Sequence, residues 1–396
     1  MQAPIRSFVS VFLMISVIPS YGADPHDSLD RQTLSVMQEL KGQYQLPSLS
    51  VAIGMNDEVV FSEAIGLANV DDRVEADNRT QYSVGSLAKP MTGIALARLV
   101  DTGHLDLDSL VSTYVTSPEY TSRFTVRELA SHIAGVPHDT PERDIAEFQN
   151  TKDHQNPFEA FYVFETHPLL FPPGTEYGYS SNGYILLSAV IESASETGYV
   201  EFLRDELWSR YGMNLTELDT STAGVPHEAT YYSELGDDGA SIESSDKRDR
   251  SFLFGGGGFI STPTDMVKMA RATYDDEYLT NKTRHHFYTP TRLRNGEPNS
   301  DSYSLGWRVG KIRLNDSDEE TWAVLHHGGV TDDASTAFLL VIPECKASIA
   351  FATNLVPERF WQMRGVMADI LKKYTNVDQC SKAENMLGSS ADASAG

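Results

Sequence analysis

The chain has 396 residues, of which 40% are hydrophobic, so it can bury the core of one large domain or of two ordinary ones and is not a disordered protein. Its 56 acidic and 31 basic residues give a formal net charge of −25. Such a surface repels phosphate backbones and anionic lipids, which argues against nucleic-acid binding. We interpret the acidity as a feature that keeps the protein soluble.

The first residues are typical of a secretory signal peptide. Arg6 precedes an apolar run over about 8–18, and small residues follow up to Ala23. We expect residues 1–23 to be a signal peptide and the mature protein to be periplasmic or secreted, with no stable membrane insertion. The apolar run is too short for an ordinary membrane-spanning helix, although an uncleaved anchor is the alternative.

Strand patterns then open and close the chain, and helical patterns occupy the middle. The predicted elements are a helix over 27–43, strands over 49–54 and 59–65, a helix over 86–101, a helix beginning near 262–265, strands over 321–325, 337–342 and 347–353, and a helix over 358–374. The polar stretch 228–250 is predicted to be a surface loop, and the tail 381–396, rich in Ser, Ala and Gly, is predicted to be disordered.

The simplest fold for this order of elements is α+β. An antiparallel sheet takes strands from both chain ends, the terminal helices flank it, and a large, mostly helical subdomain is inserted. We therefore expect one domain over 24–380, with an α/β part over 24–85 and 255–380 and a helical part over 86–254. A site is expected in the cleft between the two parts.

The chain has two cysteines, Cys345 and Cys380. In an oxidising compartment they can form one bridge, which would tie the end of a late strand to the C-terminal segment. Two unrelated thiols are the alternative.

A candidate nucleophile lies at the start of the predicted helix over 86–101. Ser86 and Lys89 are three residues apart, so they share a helix face and Oγ can meet Nζ. The helix N-terminus favours negative charge on the serine oxygen, and a lysine of lowered pKa can take the serine proton. Ser244 and Lys247 repeat the spacing, but no apolar helix follows them, so we interpret that copy as chance.

Two further segments carry groups that suit the same chemistry. Tyr179 lies in a Pro- and Gly-rich block, and a nearby lysine would stabilise its phenolate as a base. A short apolar run enters the segment that contains His326, Gly328 and Gly329, which indicates a strand edge where glycines let a backbone or ligand approach. The N–H of Gly329 could be an oxyanion donor there.

Together these segments resemble the serine β-lactamase and penicillin-binding-protein superfamily, in its class C-like branch. The resemblance covers about 46–355 and is carried by the blocks at 82–92, 103–108, 125–132, 172–184 and 257–262. Blocks 131–135 and 168–171 are most similar to the mitochondrial serine β-lactamase-like group and its bacterial relatives. The resemblance implies a β-lactamase/transpeptidase-like fold and acyl transfer through a serine, with no metal or organic cofactor.

The resemblance also implies a role for each matching residue. Ser86 would be the acylated nucleophile, and Lys89 and Tyr179 would share the proton transfers. The backbone N–H groups of Ser86 and Gly329 would form the oxyanion hole. His326 would take the place of the lysine that many members have on the strand edge that orients the substrate.

Two departures from the family pattern bear on activity. Ser181 stands where the family commonly has Asn, because Asn182 is one residue late, and it donates a hydrogen bond with shorter reach. A neutral imidazole at His326 would grip a carboxylate less well than a lysine, and His327 is the alternative occupant of that position. Both changes favour an esterase or peptidase over an efficient β-lactamase.

We therefore expect an exported serine hydrolase that cleaves an ester, amide or peptide bond of a small-molecule or peptide substrate through a Ser86 acyl-enzyme. A module that binds peptidoglycan stems or β-lactams without turnover is the alternative. Several histidines invite a metallohydrolase interpretation, but the sequence has no motif with metal-ligand spacing. The resemblance also allows an oligomer.

Overall fold

The computed structural model describes residues 25–149, 153–220, 225–235, 241–315 and 319–381. The predicted signal peptide over 1–23 and the predicted tail beyond Ser381 lie outside these ranges.

Strands cluster at the two ends of the chain and helices in its middle, as expected. The strands are β1 (Ser48–Met55), β2 (Glu58–Asn69), β3 (Val74–Glu75), β4 (Tyr82–Ser83), β5 (Glu217–Leu218), β6 (Tyr232–Leu235), β7 (Ser241–Ser244), β8 (Phe259–Ser261), β9 (Arg308–Ile312), β10 (Trp322–Thr331), β11 (Ser335–Ile342) and β12 (Ala347–Thr353). The α-helices are α1 (Pro25–Gln43), α2 (Ala88–Asp101), α3 (Val126–Ala130), α4 (Pro141–Gln149), α5 (Ser181–Ser195), α6 (Tyr199–Leu203), α7 (Ser209–Tyr211), α8 (Pro263–Ala270), α9 (Asn281–Tyr288) and α10 (Trp361–Tyr374).

The main sheet joins the two ends of the chain. It has seven strands in the order β3-β2-β1-β12-β11-β10-β9, and the neighbours pair antiparallel. The first strand lies beside the last, with Ser50 opposite Ala352. This pairing confirms the predicted α+β fold with a sheet built from both ends.

Side chains of the central strands alternate between two cores. Along β12, Ile349 and Phe351 pack with the buried residues of α1 and α10, whereas Ala350 and Ala352 belong to the core shared with α8 and the helical part. Because both faces of the sheet are covered, β1 and β12 are buried along their whole length. A central strand of this kind appears in the sequence as a nearly continuous apolar run.

The helical part meets the sheet near the start of α2. This helix is buried over almost all of its length and packs against α5 and the 3-10 segment Ser251–Gly256. The 3-10 turn Gly85–Leu87, which leads into α2, contacts β10 and β11. The two parts expected from the sequence therefore meet at this turn. Within the described ranges, no helix is both long and apolar enough to cross a membrane.

The segment predicted as a surface loop over 228–250 departs from expectation. Strands β6 and β7 pair within it, and Arg250 is buried at 1% exposure. The arginine lies 3.8 Å from the buried carboxylate of Asp219, and Lys247 donates to the same carboxylate. Internal ion pairs explain why so polar a stretch is partly inside, because buried charges need partners.

A disulfide joins Cys345 and Cys380. Cys345 ends the 3-10 turn after β11, and Cys380 follows α10, so the bond ties the C-terminal segment to the sheet. Of the two alternatives left open by the sequence, the structure has the bridge.

Candidate active site

Ser86 occupies the middle of the 3-10 turn that leads into α2. Gly85 precedes it with a φ of +48°, and a Cβ at this glycine would lie 2.8 Å from the carbonyl oxygen of Val330. The turn therefore requires glycine for its backbone conformation and for the close approach of β10. Pro90 falls in the first turn of α2, where no helical hydrogen bond is lost.

The Ser86 hydroxyl lies between two potential proton carriers. Its Oγ is 2.7 Å from the hydroxyl of Tyr179 and 3.1 Å from Nζ of Lys89. The predicted pairing of Ser86 and Lys89 on one helix face is thus present, and the long segment between α2 and Tyr179 brings the third group to the same oxygen.

Lys89 is fully buried. Its amine contacts the Ser86 hydroxyl, the Ser181 hydroxyl at 2.9 Å and the Gly256 carbonyl at 2.5 Å. These three hydrogen-bond partners, within the described ranges, are all uncharged. Burial, with smaller contributions from Arg143 and Arg308, holds the pKa of Lys89 well below its ordinary value. A neutral amine can donate to Ser181 and Gly256 and present its lone pair to the serine proton.

Tyr179 is in the protonated form at neutral pH. Burial raises its pKa to about 12, partly opposed by the hydrogen bond with Ser86 and by the charge of Arg308. The expectation of a phenolate stabilised by the neighbouring lysine is not met, because burial favours the uncharged phenol. The phenol instead donates to Oγ of Ser86.

Ser181, and not Asn182, contacts Lys89. Ser181 begins α5 and places Oγ on the Lys89 amine, as the count from the Pro-Gly-Thr block predicted. Nδ2 of Asn182 turns away and donates to the carbonyl oxygens of Pro137 and His138, each at 3.0 Å. The asparagine therefore anchors a neighbouring loop.

The two histidines of β10 point to opposite faces of the sheet, because side chains alternate along a strand. His327 is fully buried, with its ring centroid 6.3 Å from that of Tyr179. The ring of His326 lies 6.2 Å from that of Phe338, in the core under the terminal helices. The preference for His326 as the residue that faces the site is therefore wrong, and the alternative, His327, is correct.

His327 does not supply a positive charge. Burial, followed by the charge of Arg308, holds its pKa well below the ordinary value. Its Nδ1 lies 2.7 Å from the Gly328 carbonyl, so the proton resides there, and Nε2 accepts from Nη1 of Arg308 at 3.1 Å. The cation on this side of the site is thus the arginine of β9, a strand that the sequence analysis did not predict.

The direction of the peptide groups in β10 changes the expected oxyanion donor. The Thr331 carbonyl accepts from the amide three residues later in the turn to β11, and pairing with β9 ends at His326. Because N–H and C=O directions alternate along an antiparallel strand, Gly329 directs its amide to β11. Val330 directs its N–H to the free edge, so the strand direction contradicts Gly329 as the expected second donor and leaves the Val330 amide as the candidate.

Gly329 serves the site by its lack of a side chain. A Cβ at this position would lie 1.9 Å from the Val84 carbonyl oxygen and 3.2 Å from the Ser86 amide nitrogen. At Gly328, on the other face of the strand, a Cβ would meet only the Ala337 carbonyl oxygen at 4.0 Å. Gly329 thus allows β10 to lie directly against the nucleophile turn, whereas Gly328 has no such constraint.

A sequence profile of the family described as Beta-lactamase matches residues 34–370. The chain belongs to the beta-lactamase family. The match covers both the sheet and the helical part, together with every residue placed around Ser86. The fold is shared with a D-stereospecific amidohydrolase from Streptomyces sp., with a TM-score of 0.67 at 20% identity, which covers 84% of this chain and 95% of the amidohydrolase.

Known proteins share the architecture at low identity. The chain is 24% identical to the mitochondrial serine beta-lactamase-like protein LACTB of Homo sapiens, over 88% of this chain and 77% of that protein. The D-amino acid amidase of Ochrobactrum anthropi SV3 has a TM-score of 0.70 at 19% identity, covering 87% of this chain and 98% of the amidase. The octameric penicillin-binding protein homologue of Pyrococcus abyssi has a TM-score of 0.67 at 22% identity, covering 90% and 79%.

Two arginines in the site of this beta-lactamase family member were missed by the sequence analysis. The guanidinium carbon of Arg308 lies 5.4 Å from the ring centroid of Tyr179, and Nη1 of Arg143, on α4, lies 2.9 Å from Nδ1 of His138. Both charges lower the pKa of Lys89. Neither arginine belongs to a motif, and α4 and β9 reach the site only through the tertiary fold, so the sequence contained no signal for them.

The second copy of the Ser-x-x-Lys spacing lies elsewhere. Ser244 ends β7, and Lys247 is held by the carboxylates of Asp219 and Glu228. A lysine with two acidic partners stays charged, because their hydrogen bonds and charges favour the ammonium form. Among the described residues, no group of three or more His, Cys, Asp or Glu side chains is placed to hold a metal ion.

Proposed function

We propose that this protein is an exported serine hydrolase that cleaves an ester, amide or peptide bond through an acyl-enzyme on Ser86. The observation that carries the proposal is the position of Ser86 Oγ between the Lys89 amine and the Tyr179 hydroxyl. A serine needs a neighbouring base to become a nucleophile, and burial lowers the pKa of Lys89, which favours the neutral amine that can act as this base.

Acylation begins with the neutral Lys89 amine. It takes the Ser86 proton as Oγ forms a bond to the substrate carbonyl carbon, and the negative charge moves to the carbonyl oxygen. The N–H groups of Ser86 and Val330 stabilise that charge. When the bond to the leaving group breaks, the Tyr179 hydroxyl delivers a proton to it, and the proton held by Lys89 restores the phenol.

Deacylation uses the same groups in reverse. A water molecule replaces the leaving group, loses a proton to the Lys89 amine and attacks the acyl carbon. Ser86 recovers a proton when the bond to the acyl group breaks and the carboxylic acid product departs. In each of these steps the proton is carried by a side chain of the protein. The substrate that we propose is a small molecule or a peptide.

Export is supported by two independent features. The N-terminal pattern around Arg6 and Ala23 is that of a secretory signal, and Cys345 and Cys380 are bonded. Structural disulfides persist mainly in oxidising compartments, which agrees with a periplasmic or secreted protein.

The test is intact-protein mass spectrometry after treatment with a broad fluorophosphonate. Wild type should gain one adduct, Ser86→Ala should gain none, and Ser244→Ala, which changes the other copy of the motif, should react like wild type. An adduct that persists in folded Ser86→Ala, or no adduct on folded wild type, would refute the proposal.

A binding module without turnover is the second candidate. It is favoured by Ser181, whose short side chain already contacts Lys89 and is 4% exposed, so it offers little to a substrate. In that case a chromogenic ester or a β-lactam would leave a stable acyl adduct on Ser86 with one equivalent of product and no further release. Continuous Ser86-dependent product release would exclude it.

An oligomer is a further proposal, supported by the octameric homologue of Pyrococcus abyssi. Light scattering of the purified protein would measure its mass directly, and a mass of one chain would reject it.

A further inference from the structure

Three separate segments of the chain meet at one arginine beside the candidate site. The guanidinium carbon of Arg248 lies 4.8 Å from the ring centroid of Phe148, on α4, and Nη2 of the arginine donates to the Asp333 carboxylate at 3.1 Å. Phe148 belongs to the helical part, and Asp333 belongs to the turn between β10 and β11. These three residues therefore form a bridge between the two parts of the molecule, the arginine bridge.

The sheet end of the arginine bridge lies close to the nucleophile turn. Val330 precedes Asp333 by three residues, and a Cβ at Gly85 would lie 2.8 Å from the Val330 carbonyl oxygen. The Asp333 carboxylate is thus attached to a short piece of backbone that already contacts the residue before Ser86.

The helical end of the arginine bridge lies on a helix that begins beside Tyr179. The Tyr179 ring packs edge-to-face on His138, with the centroids 5.6 Å apart, and Nη1 of Arg143, in the first turn of α4, lies 2.9 Å from Nδ1 of that histidine. Phe148 follows Arg143 by five residues, which is about 7.5 Å along the helix axis. Helix α4 therefore leads from the tyrosine to the arginine bridge.

The proposed reaction determines which part of a substrate meets the bridge. Tyr179 protonates the leaving group, so the leaving group lies on the tyrosine side of Ser86. The ring of Tyr179 lies 6.3 Å from that of His327, which precedes Val330 on β10. The acyl group extends from Ser86 in the opposite direction, along β10 towards the turn that carries Asp333.

We propose that the arginine bridge closes the acyl end of the site and limits the length of the acyl group. This inference rests on the proposed function, and it names a class of acyl donor: esters and amides of short carboxylic acids. A longer acyl chain must break the contacts of Arg248 before it can bind. Because Arg248 is 19% exposed and Asp333 is 48% exposed, these contacts have the strength of surface contacts, and breaking them costs about three- to thirty-fold in kcat/KM.

The test compares p-nitrophenyl acetate with p-nitrophenyl octanoate, which share a leaving group. The readout is the ratio of kcat/KM for the octanoate to kcat/KM for the acetate, after subtraction of uncatalysed hydrolysis. Damage that slows both reactions alike cancels in this ratio. Arg248→Ala removes both contacts of the bridge and should raise the ratio by about three- to thirty-fold.

Arg210→Ala is the matched control. Arg210 likewise lies between a carboxylate, that of Asp275 at 3.2 Å, and an aromatic ring, that of Tyr278 with its centroid 5.2 Å from the guanidinium carbon. None of these three residues is among those placed around Ser86, so Arg210→Ala should keep the ratio of wild type. An equal rise of the ratio in both variants would overturn the proposal, because it would not depend on the position of the arginine.

Asp333→Asn covers the case in which Arg248→Ala does not fold. Asp333 has a φ of +52°, a conformation that asparagine adopts readily, so the turn is retained while the charge is lost. The ratio should then rise by about two- to five-fold. An unchanged ratio in folded Arg248→Ala, or in Asp333→Asn where Arg248→Ala does not fold, would overturn the proposal.

Two further comparisons assign the effect. The acetates of p-nitrophenol and of 4-methylumbelliferone differ only in the leaving group, so the ratio of their kcat/KM values should be the same in wild type and Arg248→Ala. A change in this ratio in place of the acyl ratio would overturn the proposal, because the bridge would then face the leaving group. If hydrolysis persists in Ser86→Ala, the proposed function fails, whereas Ser86-dependent hydrolysis with no effect at Arg248 refutes only the role of the arginine bridge.

Discussion

Gly329→Ala tests the placement of β10 against the nucleophile turn. The added methyl group would lie 1.9 Å from the Val84 carbonyl oxygen, whereas ordinary contacts begin near 3.4 Å, so the strand or the turn must move by about 1.5 Å. A displacement of about 1 Å at reacting groups can cost on the order of 10²-fold in rate. We expect kcat for a p-nitrophenyl ester to fall by at least about 10²-fold.

Gly328→Ala is the matched control, because a Cβ there meets only one backbone oxygen at 4.0 Å and faces away from the turn. It should retain kcat within about three-fold. Thermal melting followed by circular dichroism establishes that both variants are folded. A folded Gly329→Ala variant with the kcat of wild type would show that β10 does not constrain the turn that contains Ser86. That result would refute the placement of β10 against this turn.

Three further predictions concern other parts of the chain. Lys89→Met should reduce kcat by about 10²- to 10⁴-fold, since it removes the proposed general base. It should also raise the melting temperature, with a gain that is largest at acidic pH and shrinks towards pH 10.5. His327→Ala should lower kcat/KM by about ten-fold or more, because it releases the site arginine, whereas His326→Ala should leave kcat/KM within about three-fold of wild type. Replacing Cys345 and Cys380 by Ser should destabilise the fold by about 2–4 kcal/mol in urea titrations, as expected for a bond that closes a loop across a sequence separation of 35 residues.

The sign of the lysine effect follows from proton linkage. Burial lowers the pKa of Lys89 in the folded chain, so between that value and 10.5 the unfolded chain binds a proton that the folded chain lacks. Wild-type stability therefore rises with pH across this window, and a melting-temperature gain in Lys89→Met that grows with pH would contradict the assignment. Equal loss of kcat/KM in the two histidine variants would contradict the strand orientation. Unchanged urea midpoints in the cysteine variant would show that the bridge does not constrain the chain.

The sequence alone was sufficient to predict the general fold and the contact between Ser86 and Lys89. The strands near both chain ends are short, nearly continuous apolar runs, which is the pattern of strands buried on both faces. Strands of this kind lie in the middle of a sheet, where β1 and β12 pair. The contact between Ser86 and Lys89 could also be predicted from the sequence, because residues three apart on a helical turn lie on one face. The Ser181 position followed from counting along one motif, which is also a local property.

Only the tertiary structure decided which of two adjacent histidines faces the site. A one-residue change of register exchanges the two faces of a strand, and nothing local to His326 and His327 fixes which face is the cleft. The same alternation makes the Val330 amide, and not the Gly329 amide, the candidate for the second oxyanion donor. Arg308 came from β9, whose short sequence has no strong strand pattern and which forms through pairing with β10. Local pattern therefore determined which groups are present, whereas the register and pairing of distant segments determined which of their atoms meet at Ser86.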